Sequence, residues 1–279
     1  MTLSVFFVLL ACGCSTAKPS PVTSRPAAGP EPTDEVRSLK LPFDEYQFSL
    51  QEHYTVSAAR DKLIAECMSE KGRKWEMRER LTDVEDLPNR RRYGLIEIEV
   101  ARRFGFHEPP ERLAVNESQK ISHERERQAQ IAKSEGCDKK ADAKLGRDVE
   151  GNYGPLVGLS QKLLLEALHS PEVSDNLGAW RDCMKGKGYS YSDPYKSIGD
   201  RVWWSREGAG KTGRPSSDRE IDTAVADVTC KRTAGLVNAW FVEEARLQRQ
   251  SLKSDSGYFR EIKAYKNSIL NSSRAALEE

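Results

Sequence analysis

Glu66-Cys67-Met68-Ser69-Glu70-Lys71-Gly72-Arg73-Lys74-Trp75 has a counterpart later in the chain, Asp182-Cys183-Met184-Lys185-Gly186-Lys187-Gly188-Tyr189-Ser190-Tyr191. Both stretches run acidic residue, Cys, Met, two variable positions, Lys, Gly, two variable positions, aromatic. A large apolar residue stands three positions before each cysteine, Ile64 and Trp180, and a lone second cysteine follows each, Cys137 and Cys230. The pattern reads as an internal duplication.

Each copy predicts the end of a helix. Val56, Ala59, Leu63 and Cys67 recur at three- and four-residue spacing, as do Leu177, Trp180, Cys183 and Met184, so each set shares one face. Gly72 and Gly188 can take the left-handed conformation that closes a helix, and Lys71 and Lys187 suit the negative end of its dipole. Each cysteine then sits in the last turn or so, placed to tie the helix end to a later segment, with the following aromatic packed over the bridge. Two competing readings are weighed. Thiolate plus thioether would favour Cu(I), but adjacent helical residues point about 100° apart, and no Cys-x-x-Cys or nearby His marks a structural zinc site. A reactive redox thiol would lack its usual two-cysteine motif.

The chain starts with the apolar run Leu3 to Ala11 and continues Cys12-Gly13-Cys14. That run has the length of a signal-peptide core and is too short to span a bilayer. Leu9-Leu10-Ala11-Cys12 resembles a bacterial lipobox, which makes Cys12 the expected lipidation site within a signal peptide of residues 1–12. Cys14 is the rival, since cleavage before it leaves four other cysteines. The segment before the run carries no Lys or Arg, unlike an ordinary signal. Residues 13–40, rich in Pro, Ser, Thr and Ala, read as a flexible or extended tether.

Charged residues make up 31% of the chain, yet the formal net charge is +1. A nucleic-acid binder needs a basic surplus or stripe, so nucleic acid is not the expected partner. Beyond the signal no apolar run approaches membrane-spanning length, and any hold on a membrane is by the lipid anchor.

Periodicity and turn residues predict a mainly α fold of two related, disulfide-tied helical modules, residues 41–150 and 151–279. In the first, a helix runs from about Leu50 to Lys71 and a short one from about Ile96 to Arg103. Pro109-Pro110 enforce a loop, Asn116 to Lys133 looks like a solvated polar stretch, and Cys137 opens or precedes a helix ending near Gly146. In the second, Leu156 to His169 turns Leu159, Leu163, Leu164 and Leu168 inward. Pro171 occupies a tolerated first helical position, and Ser217 caps a helix to Lys231 that is apolar on two sides. A long C-terminal helix is expected from Leu236 to Leu270, either packed along the domain or projecting as a partner-binding arm. Four cysteines admit three connectivities. Equivalent modules should close equivalent loops, which selects Cys67–Cys137 and Cys183–Cys230, each worth about 4 kcal/mol in the chain-entropy picture. Such bridges belong to an oxidising compartment.

Candidate chemistry is sparse. Ser205-Arg206-Glu207-Gly208-Ala209-Gly210-Lys211-Thr212 departs from the P-loop pattern only at its first position. A P-loop needs a helix beginning at its Lys-Thr end, and Pro215 falls where that helix should already be running, so the stretch reads as a loop. His107, in an aromatic loop beside Glu108, is a packed or surface residue, or the base of a hydrolase. No second His four residues on marks a zinc protease, no Gly-x-Ser-x-Gly is present, and the scattered acids single out no carboxylate pair. Arg90-Arg91-Arg92 reads as a solvated charge run with some capacity for acidic polymers or lipid headgroups. Asn116-Glu117-Ser118 and Asn271-Ser272-Ser273 match the glycosylation pattern, relevant only in a eukaryotic secretory path. No cofactor, metal or catalytic residue is assigned.

Several stretches taken in order resemble a family of exported actinobacterial lipoproteins frequent in Streptomyces and its relatives. They are Leu41-Pro42 through Tyr46, Cys67-Met68, Asn89 with Arg91-Arg92-Tyr93-Gly94-Leu95, Phe104-Gly105-Phe106-His107, Trp180 with Cys183-Met184 through Tyr191, and Ala224 through Cys230 with Gly235-Leu236. The likeness covers most of the chain after the tether, and the missing basic start departs from it. It carries over no activity, cofactor or catalytic residue. It implies a companion of envelope export machinery or of peptidoglycan-associated components. The expected function is therefore a non-enzymatic extracytoplasmic lipoprotein binding an envelope protein or cell-wall component, with a cell-envelope hydrolase acting near His107 as the alternative.

Overall fold

Ser49 starts the helix that ends at the first copy of the repeated phrase. Its hydroxyl accepts the Glu52 N–H at 3.1 Å while the Glu52 carboxylate accepts the Ser49 N–H at 2.8 Å, so two of the orphan amides of a helix start are satisfied reciprocally. This helix, α2 (Leu50–Glu70), follows the short α1 (Asp34–Ser38), capped by Thr33, and a 3-10 turn at Asp44–Tyr46. The computed structural model describes residues 29–78, 84–109, 122–147, 153–204 and 217–279, and among them regular structure is helical only.

Both copies of the phrase close their helices the same way. At the end of α2 the Arg73 N–H reaches the Met68 carbonyl at 2.8 Å and the Gly72 N–H reaches Ser69 at 2.9 Å. At the end of the later helix Pro171–Gly186 the Tyr189 N–H reaches Met184 at 3.0 Å and the Gly188 N–H reaches Lys185 at 3.0 Å. This is the paired closure in which the residue after the cap must take positive φ, and Gly72 (φ 67°) and Gly188 (φ 87°) supply it without a Cβ penalty. The methionine of each phrase thus lends its carbonyl to the closure and its fully buried side chain to the core.

The remaining helices are α3 (Ile98–Phe104), α4 (His123–Ser134), α5 (Cys137–Leu145), α6 (Tyr153–Leu168), α7 (Pro171–Gly186), the short α8 (Pro194–Ile198) and α9 (Arg201–Trp204), α10 (Asp218–Thr233), α11 (Leu236–Ser254) and α12 (Ser256–Glu278). Cys67 of α2 is bonded to Cys137 at the start of α5, and Cys183 of α7 to Cys230 of α10, the connectivity expected from the two matching phrases. Trp75 packs on the cluster that holds the first bridge; Tyr189 and Tyr191 pack on the one that holds the second.

Three expectations need correction. The tether does not extend to residue 40: Val36 and Leu39 are buried among Tyr93, Trp180 and Trp240, so the stretch from Thr33 on belongs to the folded body. Two apolar residues three apart are too few to announce a helix by period, and only the cavity they fill gives them meaning. The single C-terminal helix is broken at Asp255 (φ −130°, ψ 51°), whose carboxylate accepts the Tyr258 N–H at 3.3 Å and starts α12. Ser254-Asp255-Ser256-Gly257 combines weak helix formers with residues that bond their own backbone. The polar stretch before Cys137 is not wholly solvated, since Arg125, Gln128 and Ala132 of α4 are buried.

The apolar core does not divide at residue 150. Val36, Leu39, Tyr93 and Ile96 share the largest cluster with α6, α7, α10 and α11, while Leu95, Val100 and Phe106 pack with Trp203, Ala224 and Val228. Phe43 joins Leu163, Phe259 and Ile262, and α12 lies back along α2, where Ile269 and Leu270 meet Val56. Each bridge lies within one half of the chain, but the halves bury their apolar faces against each other. No described helix is long and apolar enough to cross a membrane.

Candidate functional site

The arginine run turns inward. Arg90 makes two parallel hydrogen bonds to Glu97, at 2.7 and 3.1 Å, with both side chains nearly inaccessible. Arg92 forks onto the buried Glu244 and also donates to the Ser160 carbonyl at 3.0 Å and hydroxyl at 2.8 Å. Glu244 accepts further bonds from the Tyr93 hydroxyl at 2.9 Å and the Gln248 amide at 2.7 Å, and Gln248 in turn accepts the Phe43 N–H at 2.9 Å. Burial works against the charge on Arg92, but Glu244 outweighs it and raises its pKa; burial and the same carboxylate push the Tyr93 phenol up. Arg91, between Arg90 and Arg92 and partly exposed, donates to the His107 carbonyl at 2.8 Å and stands 3.5 Å from Glu108, so the run is tied to its own chain instead of forming a solvated face. It is an internal girder joining α6, α11 and the segment before α3, because a planar guanidinium is the side chain best able to satisfy a buried carboxylate on two edges.

His107 is sealed. It follows α3, where Gly105 turns the backbone (φ 57°, ψ −131°) so that the Phe106 N–H donates to Glu220 Oε1 at 2.9 Å. The imidazole, 1% exposed, lies with Nε2 3.5 Å from Glu220 Oε2 and its ring edge-on to Trp204 at 4.5 Å. A general base must come within hydrogen-bond reach of a substrate proton. Among the described residues, this imidazole and its carboxylate face each other beneath an indole. The arrangement orients the loop after α3, and it lends the hydrolase alternative no accessible group.

The cysteines and methionines of the repeated phrase are likewise structural. A disulfide sulfur is not a thiolate ligand, and Met68 and Met184 are fully buried in apolar clusters, so the copper reading has no donors to use. Among the described residues no group of three or more His, Cys, Asp or Glu is placed to hold a metal ion. Cys12, its rival Cys14 and the P-loop-like stretch Ser205 to Thr212 lie outside the described residues.

One buried charged pair was not foreseen. Lys231 and Asp227, one turn apart on α10, are both shut off from solvent, and Asp227 also accepts the Trp180 indole N–H at 3.0 Å. Burial raises the Asp227 pKa and lowers that of Lys231, each partly countered by the other's charge. An acid and a lysine four apart, interleaved with Ala224, Ala226 and Val228 on a helix apolar on two sides, was the signal available.

An open concavity among the described residues lies elsewhere. A groove of about 530 Å³ runs between α1, residues 47–49 and residues 85–89. Phe48, Leu87 and Pro88 supply its accessible apolar surface, over the buried Val36 and Leu39. Its walls are cross-tied: Arg37 forks onto Glu85 at 2.9 and 3.1 Å, Asn89 donates to the Leu39 carbonyl at 3.0 Å and Asp44 at 2.8 Å, and Asp86 accepts the Leu50 N–H at 2.7 Å. Burial raises the Asp44 pKa, offset by the Leu41 N–H and Asn89 amide bonds it accepts. Such a volume is within the range that binds small ligands or peptide segments. The sequence did not reveal it, because its walls come from stretches that individually read as tether and loop.

Comparison with family models, with curated proteins and with solved structures gives no match.

Proposed function

We propose that this chain is a lipid-anchored, extracytoplasmic, non-enzymatic helical protein that binds another protein of the cell envelope. The observation that carries the reading is a pair of bridges, Cys67–Cys137 and Cys183–Cys230, downstream of a sequence that resembles a lipobox ending at Cys12. Disulfides persist where the surroundings are oxidising, and a lipobox directs export and anchoring, so two independent features point to one address. The resemblance to exported actinobacterial lipoproteins points the same way, and the repeated phrase is read as the trace of an ancestral duplication. Binding rather than turnover is favoured because the ionisable groups with unusual surroundings are locked in internal pairs, while the open groove is built from cross-tied walls.

The test is fractionation of cells making the wild type, Cys12→Ala and Cys14→Ala in the presence of labelled palmitate, followed by crosslinking in intact cells. The expected result is label and membrane association lost in Cys12→Ala and kept in Cys14→Ala, with a defined envelope protein crosslinked to the wild type. A cytoplasmic, unlabelled protein with four free thiols would overturn the reading.

A further inference from the structure

We infer that the groove between α1 and residues 85–89 takes an extended, cationic peptide segment, an assignment that rests on the partner-binding reading and gives the partner its chemistry. The first argument is charge. Glu31, Asp34 and Glu85 all lie within 4 Å of Arg37, Asp44 and Asp86 line the groove, and only Lys40 adds a second positive charge to its lining. Three carboxylates against two cations line the groove, and Glu31 and Asp34 beside Arg37 add two more negative charges at its edge, a balance that attracts positive side chains and repels acidic ones.

The second argument is the backbone. Residues 85–87 are not helical, and of their amide and carbonyl groups only the Leu87 carbonyl has a partner among the described residues, the Arg90 N–H at 3.1 Å. A peptide main chain complements such unpaired donors and acceptors. Its alternate side chains can then rest on the apolar surface of Phe48, Leu87 and Pro88 while the others reach the acidic rim. A free amine would use the rim and leave the apolar surface unfilled; a purely apolar chain would do the reverse. The Arg37–Glu85, Asn89–Leu39 and Asp86–Leu50 ties hold both walls in place beforehand, which reduces the ordering cost of binding.

The test uses the full chain with its disulfides intact and two fluorescein-labelled hexapeptides, one alternating lysine with valine and one alternating glutamate with valine, followed by anisotropy. Saturable binding of the lysine peptide is expected, weakening as salt is added, with the glutamate peptide at least about tenfold weaker. Two exposed positions give variants that should fold normally. Lys40→Glu is expected to tighten the lysine peptide severalfold and Glu31→Lys to loosen it. No saturable binding of the lysine peptide, equal affinity for both peptides, or indifference to the Lys40 and Glu31 variants would overturn the assignment. So would binding that appears only after deletion of residues 15–28, a stretch with Lys18 and Arg25 and no acid, since the chain itself would then be the occupant. An envelope protein crosslinked from another face in cells, with no peptide binding in solution, would sink the groove and leave the partner-binding reading standing.

Discussion

Lys231 donates its ammonium to the Leu95 carbonyl at 3.0 Å, joining α10 to the segment before α3 across 136 residues of sequence. The same ammonium meets Asp227 at 2.7 Å, and neither charge touches solvent. Replacing one partner leaves the other buried and uncompensated, a loss of about 3–5 kcal/mol, whereas removing both with apolar residues of similar size can be close to neutral. Lys231→Met should therefore lower the urea midpoint sharply, and Lys231→Met combined with Asp227→Leu should recover much of that loss. Equal destabilisation by the single and double variants would show that the ammonium acts through Leu95 alone.

The two bridges close loops with sequence separations of 70 and 47 residues. In the chain-entropy picture each stabilises by about 4 kcal/mol, with measured losses for native bridges of about 2–5 kcal/mol. Serine pairs at Cys67/Cys137 and at Cys183/Cys230 should each lower the denaturant midpoint by a comparable amount. Peptide mapping without reductant should recover Cys67 with Cys137 and Cys183 with Cys230. Any bridge between the two halves of the chain contradicts the fold.

Glu52 serves both the start of α2 and the packing of α12. Burial pushes its carboxyl up, but the Lys266 ammonium at 2.7 Å and the Ser49 N–H at 2.8 Å more than offset this and hold its pKa below the ordinary 4.5. Between the depressed folded value and the unfolded one, the unfolded chain binds the extra proton, so this carboxylate adds stability that is fully present above pH 4.5 and is lost as pH falls through the folded value. Glu52→Gln can still accept the Ser49 N–H but has no charge to titrate. The stability difference between wild type and Glu52→Gln should be constant above pH 5 and shrink on acidification, as read from urea midpoints across the range. A difference independent of pH would mean that Lys266 does not sense the charge.

Gly105 adopts φ 57° with ψ −131°, a region closed to side chains, and a Cβ there would overlap the Glu220 carboxylate. Gly105→Ala should cost about 1–3 kcal/mol from backbone strain, with more added by displacement of Glu220 from the Phe106 N–H. Thermal unfolding measures the loss. An unchanged melting temperature would show that the turn after α3 has a second conformation available.

Local chemistry was readable before any coordinates. The helix ends at Gly72 and Gly188, the start of α7 at Pro171, the cap at Ser217 and the helix opening at Cys137 each depend on a few adjacent residues and their hydrogen bonds. The cysteine pairing was readable too, because repetition of one phrase reduced three connectivities to one. His107 was singled out correctly as a residue in an aromatic loop, but its partner Glu220 lies on α10, more than a hundred residues away, and no local pattern links them.

The chain's own order of residues thus settled helix class, the closure of both matching phrases and the covalent framework, since these follow from neighbours within one or two turns and from the likeness of two short stretches. Three-dimensional packing alone settled which charges are buried, that Val36 and Leu39 belong to the core and where the groove opens. Arg92 and Glu244 stand 152 residues apart, and Val36 and Leu39 look like tether until Trp180 and Trp240 surround them. Burial is a property of what other segments bring to a residue, so a run of arginines carries no sign of whether water or carboxylates will face it.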